Sequence, residues 1–179
     1  IQNVSINGDG TIIAKGYHIY DSNRGEVKVY RVINGEWTII GEPIYGESSG
    51  DNFGNNISLS KDGYKIVITA YTSSNILNRC GIVYVYQWNG NYWELISRTI
   101  SGIQAGQMHG EIISTNDNCD ILAIGSLYYS TNIYEIGVVE TYKLVSDKES
   151  KRVDYYLNNE LKYTSHSIYN NTDDIYYPL

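Results

Sequence analysis

An internal repeat constrains the fold of this chain more than any other feature. The stretch from Gly50 to Ala70 joins a short β-prone run, a Lys-Asp-Gly turn signal and a denser run rich in β-branched residues. This order is typical of a β-hairpin. The same pattern occurs 53 residues earlier, where Ser5 aligns with Ser58 and Gly10 with Gly63. A hairpin repeated at a regular interval predicts a fold built from similar units.

Further along the chain the alignment offset grows from 53 to 56 residues. Gly81 aligns with Gly25, and Trp93 with Trp37. The three-residue difference falls in the segment 16–25, and this freedom of length predicts a loop there. Because the two tryptophans recur at one position, we interpret them as packing residues.

A third and more divergent copy keeps the offset of 56. Gly110 aligns with Gly54, but His109 stands where the second copy has Phe53. A terminal repeat is expected to drift, because one of its faces has no neighbouring repeat. The predicted units span approximately residues 1–46, 47–102 and 103–144.

Each unit carries about four strand-like runs. In the second unit the last two runs flank Asn89-Gly90, and in the first unit Asn34-Gly35 takes the same place. Asn-Gly favours the positive φ angles of a type I′ hairpin turn. Four antiparallel strands that repeat every fifty-odd residues are typical of a β-propeller blade. We therefore predict an all-β fold of about three propeller-type, four-stranded blades.

The repeated motif carries a family resemblance. Gly-Asp-x-Phe-Gly-x-x-Ile-Ser-Leu-Ser-x-Asp-Gly-x-x-Ile-x-Ile-x-Ala, followed by Gly-x-Val-x-Val-Tyr, resembles propeller repeats of the FG-GAP type, over roughly Val4 to Leu144. Such repeats are found in bacterial surface proteins and in proteins of giant DNA viruses. Calcium-binding members carry an Asp-x-Asp-x-Asp-Gly loop, which this sequence lacks, so the resemblance implies no calcium site.

Three units are fewer than a propeller needs. Propellers contain roughly four to eight blades, and four units of 56 residues would exceed the 179 residues of this chain. We expect a fragment of a propeller or a subunit of a larger assembly. The alternatives are a ring shared between copies, blades that lie outside this sequence, and sheets that stack on another protein.

The last stretch, 145–179, does not repeat. Val153 to Leu157 and Glu160 to Tyr163 flank Asn158-Asn159, which predicts one more hairpin after a charged linker. An amphipathic helix is the competing interpretation, because several apolar residues of this stretch share a helical face. Residues 168–179 are acidic and rich in tyrosine, and we expect a tail.

Charge and composition exclude some partners. The net charge of −7 argues against a nucleic-acid backbone or an anionic membrane as the main partner. No apolar run approaches the about 20 residues that a membrane helix requires. The two cysteines do not form a disulfide framework and lack the spacing of a metal site.

The residues that could act as catalytic acids, bases or nucleophiles do not converge in the sequence. His18 lies in a variable loop, His109 replaces a phenylalanine and His166 lies in the non-repeating end. Cys80 precedes a structural glycine and Cys119 replaces a turn glycine, and neither has a basic partner nearby. We therefore predict no catalytic residues, no cofactor and no metal, and we do not expect an enzyme.

Three loops offer a better candidate site. His18 to Arg24, Tyr71 to Arg79 and Tyr128 to Ile136 take the same place in successive units, so they should line one edge. They are rich in Tyr, Ser and Asn, the composition that recognition loops use, although polar loops also serve solubility alone. Trp88, which lies beside the Asn89-Gly90 turn, is a further candidate contact residue. The predicted partner-binding residues are Tyr20, Arg24, Tyr71, Arg79, Trp88, Tyr128, Tyr129 and Tyr134.

These observations favour a non-enzymatic structural or interaction module, in a virus particle or other large assembly, that binds a protein partner or itself. The alternative is a carbohydrate-binding or adhesion propeller on a cell surface, so a glycan partner stays open. Three sequons, at Asn3, Asn56 and Asn170, would permit glycosylation there. A weaker hypothesis is an enzyme whose site is completed from outside this chain. We expect a virion or an extracellular surface as the location.

Overall fold

The structure, a computed structural model, describes residues 3–130, 137–146, 151–157 and 160–167. Within these ranges the chain is all-β, with three antiparallel sheets and a single four-residue helix. The predicted all-β class is therefore confirmed. The described residues do not close into a barrel or a ring of sheets.

Strands follow one another in chain order within each sheet. The first sheet contains β1 (Asn3–Ile6), β2 (Ile12–Tyr17), β3 (Glu26–Ile33), β4 (Glu36–Ile39) and β5 (Ile44–Tyr45), which pairs with β3, and helix α1 (Tyr20–Asn23) joins β2 to β3. The second sheet contains β6 (Ile57–Leu59), β7 (Lys65–Ala70), β8 (Ile82–Trp88) and β9 (Trp93–Ser101). The third sheet contains β10 (Ile112–Thr115), β11 (Ile121–Ser126), β12 (Val138–Ser146), β13 (Lys151–Leu157) and β14 (Glu160–Ser167).

Residues that the sequence aligns take equivalent places in the sheets. Ser5 pairs with Ala14 across the first hairpin, and Ser58 pairs with Val67 across the second. In the third sheet Ser114 pairs with Ala123 in the same register. Side chains of one residue type therefore point to the same face of successive sheets.

The first turn of each sheet is held by its own side chains. Asp62 Oδ1 accepts the N–H of Tyr64 at 2.9 Å, and Asp9 accepts the N–H of Thr11 at 3.0 Å. Burial acts to raise the pKa of Asp62, but hydrogen bonds from Ser60 and Tyr64 outweigh it and lower the value. Both aspartates therefore stabilise the turns in which they lie.

The Asn-Gly turns differ from each other. Asn34 and Gly35 have φ angles of 54° and 85°, as a two-residue type I′ turn requires. Asn89 does not share this geometry, because Trp88 pairs with Trp93 and leaves a four-residue turn. Asn89 Oδ1 accepts the N–H groups of residues 91 and 92, both at 3.0 Å. The type I′ prediction is therefore wrong for the second sheet.

Hydrophobic residues of neighbouring sheets pack together. One cluster joins the first sheet to the second, with Ile12 and Val27 against Ile66 and Phe53. A second cluster joins the second sheet to the third, with Val83 among its buried residues. Burial on both faces explains why Ile66, Val67 and Ile68 of β7 form an unbroken apolar run, whereas burial alternates along β2 of the first sheet.

The sheets approach closely enough to require glycine. A Cβ atom at Gly81 would lie 2.2 Å from the carbonyl oxygen and 2.4 Å from the backbone nitrogen of His109. The φ angle of Gly81 is also +81°, which other residues rarely adopt. The same contact recurs between the first and second sheets, at Gly25 and Phe53.

The stretch that the sequence left open between hairpin and helix forms strands β13 and β14, which pair antiparallel and extend the third sheet. The predicted turn at 158–159, the linker residues 147–150 and the tail at 168–179 lie outside the described residues.

Candidate interaction site at the loop edge

The loops that join the second and third strands of each sheet lie at the edge where the chain passes to the next sheet. The N–H of Gly50 donates to the carbonyl of Ser22 at 3.1 Å, and the N–H of Met108 donates to that of Arg79 at 3.1 Å. We call this surface the loop edge and define it by residues 18–24, 46–55, 71–79, 102–110 and 128–130. Backbone bonds across successive units hold the loops in place.

The loops interlock in the same way at both junctions. Phe53 N–H donates to the carbonyl of Arg24 at 3.3 Å, and His109 N–H donates to that of Cys80 at 2.8 Å. Phe53 and His109 are buried, with exposures of 1% and 0%. The core therefore anchors the loop edge, which lowers the entropy that a partner would have to freeze on binding.

The first loop contains a left-handed turn. Asp21, Ser22 and Asn23 have φ angles of 46°, 57° and 62°, inside the short helix α1. Such angles are unfavourable for residues other than glycine, although Asp and Asn tolerate them best. Backbone strain of this kind clusters at functional loops, so it directs attention to this part of the edge.

Aromatic rings and a cation gather beside this turn. Tyr20 is 38% exposed, and its ring centroid lies 5.8 Å from that of Tyr45. The guanidinium of Arg24 lies 5.4 Å from the centroid of Tyr45, and its Nε donates to the carbonyl of Gly46 at 2.6 Å. Two residues of the predicted binding set are thus brought together, with the Arg24 side chain fixed by its own contacts.

An open concavity of about 510 Å³ lies between the first two loops of the edge. Its lining residues include Asn52, Asn75 and Arg79. Asn52 Nδ2 donates to Thr72 Oγ1 at 2.6 Å, and the buried Asp51 carboxylate accepts the N–H of residue 48 at 2.8 Å. Asp51 therefore holds the loop, and the concavity presents amide, hydroxyl and guanidinium groups.

A second concavity, of about 520 Å³, contains Tyr71 and His18. Partial burial lowers the pKa of His18, so the ring is neutral at physiological pH. Two sequon asparagines also line it. Asn3 Nδ2 donates to the carbonyl of Asn55 at 2.7 Å, and Asn56 Nδ2 donates to that of Glu111 at 2.5 Å. Their side-chain amides are thus used in contacts between sheets.

The third loop contributes tyrosines to the same edge. Tyr128 is 44% exposed and Tyr129 is half-buried. Gln104 Nε2 donates to the carbonyl of Ser130, and Gln104 Oε1 accepts the N–H of Ser130, both at 3.0 Å. Tyr134, which belongs to the predicted set, lies outside the described residues.

Trp88 lies apart from the loop edge. Strand β8 begins at the edge and ends at Trp88, so this side chain lies at the opposite end of the sheet. Its ring centroid is 5.4 Å from that of Trp93, and both rings join the hydrophobic cluster between the first two sheets. The prediction of an exposed contact residue does not fit this position. Trp93 is buried as predicted, whereas Trp37 is 48% exposed.

The structure brings together polar residues that the sequence left apart. His109 Nδ1 lies 2.7 Å from Ser126 Oγ and 3.2 Å from Glu140 Oε2, and its Nε2 lies 3.3 Å from Tyr142 Oη. Gln107 Nε2 donates to Ser126 Oγ at 3.1 Å. The expectation that no such groups converge is wrong, because pairing of β11 with β12 joins residues far apart in the chain.

A signal for this cluster was present in the repeat. In the second sheet Phe53 packs edge-on against Tyr84, with ring centroids 5.6 Å apart. The aligned residues of the third unit are His109 and Glu140, so both members of one aromatic pair become polar. When both members of a pair change together at aligned positions, the change indicates that the two residues are in contact. This signal is not visible when each residue is considered alone.

Burial determines the charge of this cluster. Glu140 favours a protonated His109, but complete burial disfavours the charge more strongly and lowers the pKa of His109 to about 3. The ring is neutral at pH 7. Ser126 and Glu140 approach the same ring nitrogen, unlike a serine–histidine–acid triad, in which nucleophile and acid bond to different nitrogens. Because these three residues are each 5% exposed or less, we interpret the cluster as structural.

The described part of the chain contains no site suited to thiol or metal chemistry. Cys80 and Cys119 are free and buried, and burial raises the pKa of the Cys119 thiol. Among the described residues, no group of three or more His, Cys, Asp or Glu side chains is placed to hold a metal ion. No helix in these ranges has the length and apolar character needed to cross a membrane.

No family model and no curated protein sequence matches this chain. Among solved structures, the chain is similar to a protein from Bacteroides uniformis provisionally assigned as a 6-phosphogluconolactonase. The two share 10% identity with a TM-score of 0.46, over 92% of this chain and 52% of the other. This chain thus spans about half the length of that protein.

That likeness corrects one expectation. The prediction that the chain is not an enzyme is contradicted, because the similar structure is one assigned to an enzyme. We therefore withdraw that prediction. A likeness at this level of identity and TM-score assigns no activity to this chain.

Proposed function

We propose that this chain is an interaction module that binds a protein partner through the loop edge. The observation that carries the proposal is the interlocking of successive loops by backbone hydrogen bonds, which presents Tyr, Ser and Asn side chains on a fixed frame. Tyrosine supplies contact area with little loss of conformational entropy, and fixed loops reduce the cost further. Tyr20 and Tyr128 are exposed on this edge.

We further propose that the sheets are propeller-type blades. Their consecutive strand order and their packing through hydrophobic faces support this, as does the resemblance of the repeated motif to the FG-GAP type. A module of this kind fits a component of a virus particle or another large assembly at a particle or cell surface.

A second candidate function is carbohydrate binding or adhesion. The concavity beside Asn52, Asn75 and Arg79 favours it, because amide, hydroxyl and guanidinium groups are those that hydrogen-bond to sugar hydroxyls. A glycan array separates the two candidates. Binding by the folded protein, lost in Asn75→Ala, would favour the sugar.

Site-specific photocrosslinking tests the protein-partner proposal. A photoreactive phenylalanine analogue at Tyr128 or Tyr71 should crosslink a partner protein in extracts of the source organism. The matched control is Tyr92, which is 53% exposed but lies in the turn at the opposite end of the second sheet. Equal crosslinking from Tyr92 would refute a role for the loop edge.

Alanine substitution supplies the energetic test. Replacing Tyr71, Tyr128 and Tyr129 together should weaken binding to the crosslinked partner by at least about tenfold, while the melting temperature changes by only a few degrees. Calorimetry and thermal unfolding measure both. A large fall in melting temperature would show instead that these tyrosines belong to the core.

A further inference from the structure

The contact between neighbouring sheets is formed twice in this chain, with equivalent residues each time. The N–H of Gly8 in the first sheet donates to the carbonyl of Lys61 in the second, at 2.8 Å. The N–H of Lys61 in turn donates to the carbonyl of Asp117 in the third, at 2.7 Å. These three residues align in the repeat, so one interface geometry is used at both junctions.

Each junction has two different sides. We call the side that donates this hydrogen bond the leading face, and the side that accepts it the trailing face. On the leading face of the second sheet, Val83 and Val67 are both 0% exposed beneath the third sheet. On its trailing face, Ile57 and Leu59 are 7% and 8% exposed beneath the first sheet.

No described residue covers the leading face of the third sheet in this way. Val139 aligns with the fully buried Val83 but is 67% exposed. Ile112 and Ile121 add exposures of 57% and 46% on the same face. The N–H of Asp117, which aligns with the donor on Lys61, has no acceptor within the described part of the chain.

The trailing face of the first sheet is likewise left uncovered by the described part of the chain. Val4 and Ile6 align with Ile57 and Leu59 but are 68% and 60% exposed. Trp37 aligns with Trp93 and is 48% exposed where its counterpart is 8% exposed. Trp93 is buried because it packs in the cluster between the first two sheets, where its Nε1 also donates to the carbonyl of residue 40 at 3.3 Å.

We propose that the leading face of one copy packs on the trailing face of a second copy, head to tail. The occupant follows from the interface itself, since the two open faces are the two sides of a junction that the chain already makes twice. In this arrangement the N–H of Asp117 donates to the carbonyl of Gly8 in the second copy, and Val139 is covered as Val83 is.

The contact is heterologous, because the two faces differ. Such a contact builds a closed ring if the rotation between copies closes, and a filament if it does not. It uses the end faces of the stack and leaves the loop edge free, so it goes beyond the binding of a partner at that edge. Exposed apolar patches of this kind mark interaction surfaces in folded proteins.

Analytical ultracentrifugation of the 179-residue chain over a wide concentration range tests the proposal. We expect mass to rise with concentration. Val139→Asp and Ile6→Asp should each weaken association by about a hundredfold, because each buries an unpaired charge in the contact. Tyr92→Asp, in an exposed turn away from both faces, is the matched control and should associate as the wild type does.

Mixing the variants separates a head-to-tail contact from a symmetric one. A mixture of Val139→Asp and Ile6→Asp retains one intact junction and should form heterodimers only, whereas the double variant should remain monomeric. Circular dichroism confirms that each variant is folded. Wild-type protein that stays monomeric, association that survives Val139→Asp, or Ile6→Asp homodimers in the mixture would overturn the proposal.

Discussion

Mild acid should destabilise the fold through the buried imidazole of His109. Because burial lowers its pKa to about 3, the folded ring stays neutral at pH 5, while in the unfolded chain the ring titrates at its ordinary value of 6.5. Between these values the unfolded state binds more protons than the folded state. Stability is therefore complete above pH 6.5 and is lost progressively as pH falls toward 3.

The size of the effect follows from the two pKa values. Between pH 7 and pH 5 the unfolded histidine passes from mostly neutral to almost fully protonated, while the folded one stays neutral. This difference costs the fold about 2 kcal/mol. Because the His109 side chain is 0% exposed, solvent does not screen its surroundings.

The matched control is His109→Gln, which removes the titration but keeps a side chain that can donate to Glu140. Urea unfolding followed by tryptophan fluorescence at pH 5, 6 and 7 gives the free energy of unfolding of both proteins. We expect the wild type to lose about 2 kcal/mol more than the variant over this range. The two proteins differ only at residue 109, so all other groups contribute equally to both losses. Equal losses would refute the reasoning.

Two further substitutions test the packing between sheets. His109→Phe combined with Glu140→Tyr restores the aromatic pair of the second sheet, and we expect unchanged or higher stability at pH 7, because replacing buried polar pairs by packed apolar ones is often neutral or stabilising; a loss above about 2 kcal/mol in urea unfolding would contradict this. Gly81→Ala forces a Cβ into the backbone of His109 and should cost more than about 3 kcal/mol or prevent folding. Gly90→Ala, where nothing lies within 4 Å of the new Cβ, should cost only about 1 kcal/mol.

The repeat made the sheets predictable. Local turn chemistry at Asp9 and Asp62 fixes hairpins whose residues are close in sequence, so alignment of the units placed the strands well. The loop edge was predictable for the same reason, since aligned loops follow aligned strands. The repeat could not predict properties that depend on contacts with the neighbouring sheet.

The environments of three residues could not be predicted from the sequence. Trp88 lies next to a turn, which suggested exposure, but contacts with the preceding sheet leave it half-buried. Trp37 shares its motif position with Trp93, yet within the described part of the chain only Trp93 has a sheet packed against it. His109 looked incidental because its partners lie 17 and 31 positions away along the chain and meet it only in the folded sheet.

Amide hydrogen exchange at three aligned positions tests the central claim, that one interface stacks the sheets and that the described residues leave it open at both ends of the stack. Gly8 and Lys61 donate across the two junctions, and Asp117 takes the same place on the open leading face. We expect slow exchange at Gly8 and Lys61 at every protein concentration. Asp117 should exchange rapidly in dilute solution and slowly once copies associate. Rapid exchange at Lys61 in dilute folded protein, or unchanged exchange at Asp117 on association, would contradict the account.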